Sequence, residues 1–331
     1  MTEFEVIQRY FTNRQLLQCG VDLSIGDDCA LFSPRAGTQL AISSDMLVEG
    51  RHFFSDANAR MLGHKSLAVN LSDLAAMGAE PRAFTLALAL PEVQPVWLRD
   101  FSDGLFELAD HYHCQLIGGD TTKGPLNICI TVFGEVPNGQ ALRRDTAREG
   151  DDIWVSGTLG DARLALASYL TTDANQHSDL CTMSEIQKQQ AALHLHMPSP
   201  RIALGMALRG VARAAIDVSD GLIGDLNHIL ERSKSGATVW CDALPFGATL
   251  SHQNVSVQRE FALAGGDDYE LCFTASKDQR NVVLAAAKQA ATQVTRIGYI
   301  ESEKGLRLRD ANNLPVNLSI HSFDHFYEPG N

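Results

Sequence analysis

The sequence predicts a two-domain protein of the α/β or α+β class, and three observations carry that expectation. The chain has 331 residues, more than one hydrophobic core ordinarily serves. Strand-length apolar runs alternate with runs of helical period in both halves. Between the halves, residues 143–152 (RRDTAREGDD) are polar and charged. That break sets the expected domains at 1–148 and 149–331.

In the first half, residues 3–11 have the spacing of a short amphipathic helix. Residues 38–44, TQLAISS, form a strand pattern that runs into Asp45. From 59 to 77, Met61, Leu62, Leu67, Leu71, Leu74 and Met77 fall near one stripe and predict a helix. Residues 83–90, AFTLALAL, suit helix or strand by propensity. Gly-Ala-Glu-Pro before them resembles a helix exit and Pro91 stops them, so a strand is expected. A helix at 95–113 and strands at 114–118 and 127–136 complete this half.

The second half opens with the strand IWVSG and the helix GDARLALASYL. Residues 171–184 are polar and read as a mobile loop. Helices follow at 184–195 and 200–210, then strand, turn and helix in AAIDVSDGLIGDLNHIL. ATVWCDALP, YELCFTA and RIGYI are strands, and 278–291 is a helix.

Composition narrows the function. The chain is 45% apolar and 20% charged, the balance of an ordinary soluble protein. A net charge of -13 argues against broad contact with nucleic acid or an anionic membrane. It leaves room for an anionic ligand where cations reverse the local charge. The start, MTEFEVIQRYF, lacks the basic and apolar segments of a signal peptide, and no apolar run is long enough to span a bilayer. The 7 cysteines are scattered without a CxxC pair, which predicts reduced thiols and a cytoplasmic protein. The pairs His111/His113 and His194/His196 have no cysteine at zinc-ligand spacing and read as packing or surface residues.

One pattern stands out. Apolar runs end in Gly or Ser and then Asp at IGDD (Asp27, Asp28), AISSD (Asp45), LIGGD (Asp120), IDVSD (Asp217, Asp220) and LAGGDD (Asp267, Asp268). Asp73 joins them from NLSDLAAMG. Any one of these is an ordinary turn or cap residue. Repetition at similar junctions predicts a shared edge where carboxylates converge. Two carboxylates 4 Å apart repel by about 1 kcal/mol in water and about 4 at an effective dielectric of 20. Such a site must take up protons or cations. Oxygen-only ligands favour Mg²⁺, which keeps waters and pairs with phosphates, so the pattern suits phosphoryl transfer. The familiar nucleotide signatures are missing: there is no GxxxxGK[ST], no GxGxxG and no HRD or DFG, and GTLGDA (157–162) lacks the lysine. ATP would therefore be held by another fold, with metals contacting its phosphates.

IGDDCA, ISSDMLVEGRHF, KSLAVNLSDLAAMGAEP, LIGGDTT, IDVSDGL and GGDDYELCF, in that order, closely resemble the thiamine-monophosphate kinase family. That family lies within the superfamily of aminoimidazole ribonucleotide synthetase-like ATP-binding proteins. The resemblance runs from about residue 4 to residue 326. NLSDLAAMGA and GGD mark the superfamily, whereas EGRHF, GGDDYEL and the FDHF tail together mark the kinase.

The resemblance implies transfer of the ATP γ-phosphate to thiamine monophosphate, with several Mg²⁺ ions, giving thiamine diphosphate. It implies the PurM-like fold: a homodimer whose N-terminal domains form a β-barrel at the interface, and a C-terminal α/β domain closing the ATP cleft. Carried over by motif, Asp28, Ser43, Ser44, Asp45, Asp73, Asp120, Asp217 and Asp220 are the implied metal ligands. Gly119, Asp120, Arg144 and Ser219 are the implied ATP contacts, with Arg144 chosen over Arg143. His52, Asp267 and Phe323 are the implied contacts to thiamine monophosphate. Asp27 and Asp268 are expected to support their neighbours. No residue is expected as general base, because the acceptor phosphate is already ionised near neutral pH. The competing readings are another ATP-dependent activity of the superfamily and a non-catalytic maturation scaffold. EGRHF and the FDHF tail argue against the first, and the presence of every acid argues against the second.

Overall fold

A computed structural model describes residues 1–12, 14–15, 20–170 and 180–318. The chain folds into two compact units, Met1–Leu74 with Ala79–Ala141, and Ala75–Gly78 with Leu142–Asn331.

The first unit opens with α1 (Glu3–Val6), which continues as a π-helical turn over Ile7–Phe11. Thr2 starts it with a capping box: its hydroxyl accepts from Glu5 N, and its own N–H donates to the Glu5 carboxylate. The short strands β1 (Val21–Leu23) and β2 (Leu31–Phe32) pair antiparallel on either side of the IGDD segment. Then come β3 (Thr38–Val48), α2 (Ala59–Ala76), β4 (Glu80–Leu90), α3 (Pro95–His111), β5 (Gln115–Lys123) and β6 (Asn127–Pro137).

The four long strands form one sheet in the order β3-β6-β4-β5. It is antiparallel except for the parallel pair β4–β5, whose crossover is α3. AFTLALAL is thus a strand, as its flanking turn signals predict. Its buried residues Phe84, Leu86 and Leu88 alternate with less buried ones. Leu67, Leu71 and Leu74 of α2 and Leu98, Phe101 and Leu105 of α3 are fully buried. On β3, by contrast, Leu40, Ile42 and Met46 are 40%, 59% and 52% exposed, so one sheet face keeps apolar residues in solvent. The sheet is open, with β3 and β5 at its edges.

The second unit contains β7 (Asp152–Ser156), α4 (Asp161–Leu170), α5 (Glu185–His196), α6 (Ile202–Ala207), β8 (Ala214–Val218) and α7 (Leu222–Ser233). After these come β9 (Gly236–Trp240), α8 (Val255–Ala264), β10 (Glu270–Ala275), α9 (Arg280–Gln289), β11 (Val294–Glu301) and β12 (Gly305–Arg309). Its sheet has the order β12-β9-β11-β7-β10-β8, antiparallel apart from β12 beside β9. Ile153, Val155, Ile216, Val218, Leu226, Ile229, Val239, Phe261 and Cys272 belong to one buried cluster beneath it. Residues 171–179 of the expected loop, and Phe323 with the rest of the FDHF tail, lie outside the described residues.

Sequence periodicity missed β1, β2, α8 and β12. The first two hold 3 and 2 residues, too few to show a period. No helix among the described residues is long and apolar enough to cross a membrane.

α2 and α3 approach closely through a pair of glycines. A Cβ on Gly104 would lie 1.9 Å from Arg60 O, and one on Gly63 would lie 2.0 Å from Phe101 O. Gly104→Ala should therefore force the helices apart and cost about 1–3 kcal/mol despite alanine's better helix propensity. Urea unfolding measures this, and an unchanged midpoint would mean the helices do not meet there.

Candidate active site

In the first unit the acids fall into two groups. The first lies where β3 meets α2. Side chains alternate along β3, so Ser43 and Ser44 face opposite sides of the sheet. Ser43 Oγ donates to the Asp73 carboxylate of α2. One turn earlier on that helix, Asn70 Oδ1 accepts from Asp45 N at 3.0 Å, and its amide donates to Ser66 O. Asn70 and Asp73 are spaced i, i+3 and share a helix face, so NLSD is the segment that holds the SSD strand. Ser44 Oγ lies 2.9 Å from Thr131 Oγ1 and 3.1 Å from Ile130 O. Just past the strand, His52 Nδ1 accepts from Val48 N at 3.0 Å. That bond puts the proton of the neutral imidazole on Nε2, which then serves as a donor.

The second group lies across the sheet. Asp120 on β5 sits beside Ala87 of β4, Ala87 is opposite Cys129 of β6, and Cys129 is opposite Met46, next to Asp45. Three strand spacings therefore separate Asp45 from Asp120, roughly 14 Å. Gly119 has φ +148°, and a Cβ there would lie 1.8 Å from Leu86 O, so only glycine fits before Asp120. Gly118, Gly119 and Asp120 line a cavity of about 1690 Å³ together with Asp27, Asp28 and the apolar Phe4 and Phe11. Within IGDD the two acids have different tasks. Asp27 Oδ1 accepts from Asp28 N at 2.8 Å and holds the turn, while the Asp28 side chain is exposed at the cavity.

The second unit brings three loops together at neighbouring strand ends. β8 ends at Asp217-Val218, and Ser219, Asp220 and Gly221 lead into α7. Asp225, four residues into that helix, accepts from Ser219 N at 3.0 Å and Asp220 N at 3.1 Å through one oxygen. Burial and then the charges of Asp217 and Asp220 push the Asp225 carboxyl up to about 8. The loop before β10 binds this one back to back: Asp267 N donates to Ser219 O and Tyr269 N to Val218 O, both at 2.8 Å. Gly266, Asp267 and Tyr269 have φ of +66°, +59° and +50°. Left-handed backbone at two non-glycine residues costs of order 1–3 kcal/mol each and persists only where its surroundings enforce it.

Asp268 supplies part of that enforcement. Its Oδ1 accepts from Gly160 N at 2.8 Å, which ties the third loop, 157–160, to the other two. The residue is deeply buried, its Oδ2 has no hydrogen-bond partner, and burial raises its carboxyl well above the usual range. Its surroundings favour the protonated form.

Arg143 and Arg144 differ sharply. Arg143 grips Asp145 with two bonds of 2.8 and 2.6 Å. The Arg144 side chain is exposed and, among the described residues, joins no ion pair, while its carbonyl accepts from Ser233 Oγ. Of these two, Arg144 is the one whose fork holds no carboxylate.

Among the described residues, no three His, Cys, Asp or Glu side chains already converge as a metal site. The donors are carboxylates and hydroxyls, a set that fits a hard, water-keeping cation. Sequence reasoning missed Asn70 and Asp225. NLSD carries Asn70 three residues before Asp73, and that was the available signal there; Asp225 stands five residues after Asp220, off helical spacing, and had none.

The chain matches the family model for the AIR synthase related protein N-terminal domain over residues 26–136 and the corresponding C-terminal domain over 148–311. It is 46% identical over 330 residues to a thiamine-monophosphate kinase of Escherichia coli O157:H7, covering 99% of both chains. The crystal structure of the thiamine-monophosphate kinase from Stenotrophomonas maltophilia K279a superposes with a TM-score of 0.81 at 48% identity, covering 88% of this chain and 92% of that one. AaThiL complexed with AMPPCP and TMP gives 0.76 at 29% identity, covering 92% of each.

The raised Asp268 carboxyl has a measurable consequence. The folded chain keeps a proton there that the unfolded chain releases above its ordinary value of 3.8. Folding stability therefore falls as pH rises from that value towards the raised one. Asp268→Asn cannot ionise and keeps an oxygen for Gly160 N. Its urea midpoint should fall less than that of the unmodified protein as pH rises above the ordinary carboxyl value of 3.8. Asp268→Ala, which strands Gly160 N, should lose about 1–3 kcal/mol at any pH. Identical pH slopes for the unmodified protein and Asp268→Asn would disprove the neutral assignment.

Proposed function

The chain belongs to the thiamine-monophosphate kinase family of AIR synthase related proteins, and from that premise we propose that it transfers the γ-phosphate of ATP to thiamine monophosphate, giving thiamine diphosphate and ADP. The observation that carries this reading is the match along the whole length of a kinase at 46% identity. A fold-level likeness would leave the substrate open.

The residues divide the work by chemistry. Asp28, Ser43, Ser44, Asp45, Asp73, Asp120, Asp217 and Asp220 would hold Mg²⁺. When bound, it supplies positive charge between two phosphate anions that otherwise repel. Gly119 lets backbone approach the nucleotide, and Asp120 and Ser219 border it. Arg144 offers a fork of donors to its phosphates. His52 presents an Nε2 proton, and Asp267 a carboxylate, to the thiamine monophosphate. Phe323 is proposed to stack on a thiamine ring. The acceptor oxygen is already anionic, so it attacks phosphorus in line as the bridging oxygen leaves with ADP. No protein base and no covalent phosphoenzyme are needed. The protein's part is to align two anions and exclude water.

The reading includes a homodimer. The exposed Leu40, Ile42 and Met46 face of the first unit's sheet is the proposed contact, with two such sheets making a barrel between protomers. A cytoplasmic setting agrees with the free thiols of Cys29, Cys114, Cys129, Cys181, Cys241 and Cys272.

Incubation with ATP, Mg²⁺ and thiamine monophosphate should yield thiamine diphosphate and ADP in equal amounts. ATP loss without a phosphorylated thiamine product would refute the reading. Asp45→Asn and Asp120→Asn should each lower kcat at least about 100-fold with unchanged circular dichroism. Near-normal turnover in both would remove the metal role. Ile42→Glu should convert a sedimenting dimer to monomer, and a dimer that persists would move the interface elsewhere.

A further inference from the structure

Arg163 is a cation that the reaction so far leaves without a task. It lies in the first turn of α4 and is only partly exposed. Its guanidinium carbon sits 5.5 Å from the centroid of the Phe261 ring of α8. A Cβ on Gly265 would come within 2.8 Å of the Arg163 Cβ, so glycine at 265 is what lets the arginine stem lie against the loop that carries Asp267. Among the described residues no carboxylate stands within ion-pair distance of it and no hydrogen bond engages it. Five other arginines of the unit are engaged by carboxylates. Arg201 is paired to Glu270, Arg280 and Arg296 to Asp152, Arg259 to Asp242 and Arg307 to Glu301.

A guanidinium carries five donors and does not give up its proton in proteins. Burying one beside an aromatic ring recovers part of the lost hydration and satisfies none of those donors. Burial lowers the pKa of this guanidinium below its ordinary value, and the charges of Glu260 and Asp267 oppose that only in part. They leave its donor fork open. The anion that suits a planar fork is a phosphate or a carboxylate. Its place beside Asp267, on the loop assigned above to the acceptor, selects the acceptor over the nucleotide.

We propose that Arg163 is a binding residue for the phosphate monoester of the acceptor, gripping it beside Asp267 and making the site prefer a phosphorylated substrate over its free alcohol. The proposal rests on the kinase reading above. The pairing is chemically economical. Thiamine monophosphate joins a cationic ring system to an anionic phosphate, and a neighbouring carboxylate and guanidinium match the two ends.

The test uses the full-length protein, with Arg163→Gln to remove the charge and Arg163→Lys to keep the charge without the fork. Steady-state assays should show the KM for thiamine monophosphate raised about 10-fold or more in Arg163→Gln, with the KM for ATP unchanged. Arg163→Lys should recover part of the loss. Calorimetric titration with thiamine monophosphate and with thiamine gives a readout independent of turnover. Arg163→Gln should lose the preference for the phosphorylated form while binding thiamine as the unmodified protein does. An equal weakening for thiamine and thiamine monophosphate, or a rise in the KM for ATP alone, overturns the proposal. A preference retained in Arg163→Gln, with the unmodified protein turning over normally, overturns it while leaving the kinase reading standing. Absence of thiamine diphosphate from the unmodified protein overturns the kinase reading itself.

Discussion

Repulsion between carboxylates is the constraint on which this architecture turns. An acidic chain that binds polyanions must keep its acids near one another without letting them collapse or protonate together. The fold answers with distance in one unit and with hydrogen bonds in the other. Across the β3-β6-β4-β5 sheet, the strand order itself sets Asp45 and Asp120 apart. In the second unit the acids are crowded, and the relief is a proton. Asp225 is raised to about 8 by burial and by Asp217 and Asp220. Asp268 is raised well above its ordinary range, burial being the leading cause. Each neutral acid still accepts backbone N–H bonds, so it organises the loops that present Asp217, Asp220 and Asp267 without adding a charge to them.

That division explains why IGDD, GGDD and DVSDG each contain more than one acid. In IGDD, Asp27 spends its carboxylate on the N–H of Asp28, and Asp28 faces the cavity. In GGDD the order reverses: Asp268 is buried as the support, and Asp267 sits in the left-handed backbone. In DVSDGLIGD the support comes later, from Asp225 on the helix. A paired acid at such a junction is one ligand candidate and one brace.

Sequence located the acids better than the strand ends. At β8 the signal holds, with Asp217 one residue before the last, but β3 runs on to Val48 and β5 to Lys123, so Asp45 and Asp120 lie within paired strands, because ladder pairing with β6 and β4 carries the strands past the local Gly and Ser signals. Sequence could not reveal which acids would be buried. Asp268 and Asp267 are adjacent and chemically identical. Their different environments come from the Gly160 loop, more than a hundred residues away along the chain. Asp225 looks like an ordinary first-turn helix acid until the loop before it folds back onto its oxygen. The short β1–β2 pair was hidden for a different reason: strands of 3 and 2 residues carry no periodicity, and pairing alone defines them. Asn70 was legible in principle. It stands three residues before Asp73, but an amide in a helix attracts no attention until a strand N–H is found bonded to it.

The arginines close the electrostatic argument. A chain with a net charge of -13 can still bind phosphates if its few available cations are not already matched. Most guanidiniums of the second unit are matched to carboxylates, and those pairs are spent on the fold. Arg143 is matched too, by a neighbour two residues away that holds it with two bonds. Arg144, next to it, has the same charge, but its fork stays open to solvent. Identity of residue type therefore says little about availability. The Asp145 beside Arg143 makes the difference, because a carboxylate that already fills the fork leaves a phosphate nothing to displace except a charge-assisted pair. The same reasoning separates Arg163 from Arg201. One guanidinium is turned to an aromatic ring, which leaves its donors open, and the other to Glu270, which fills them.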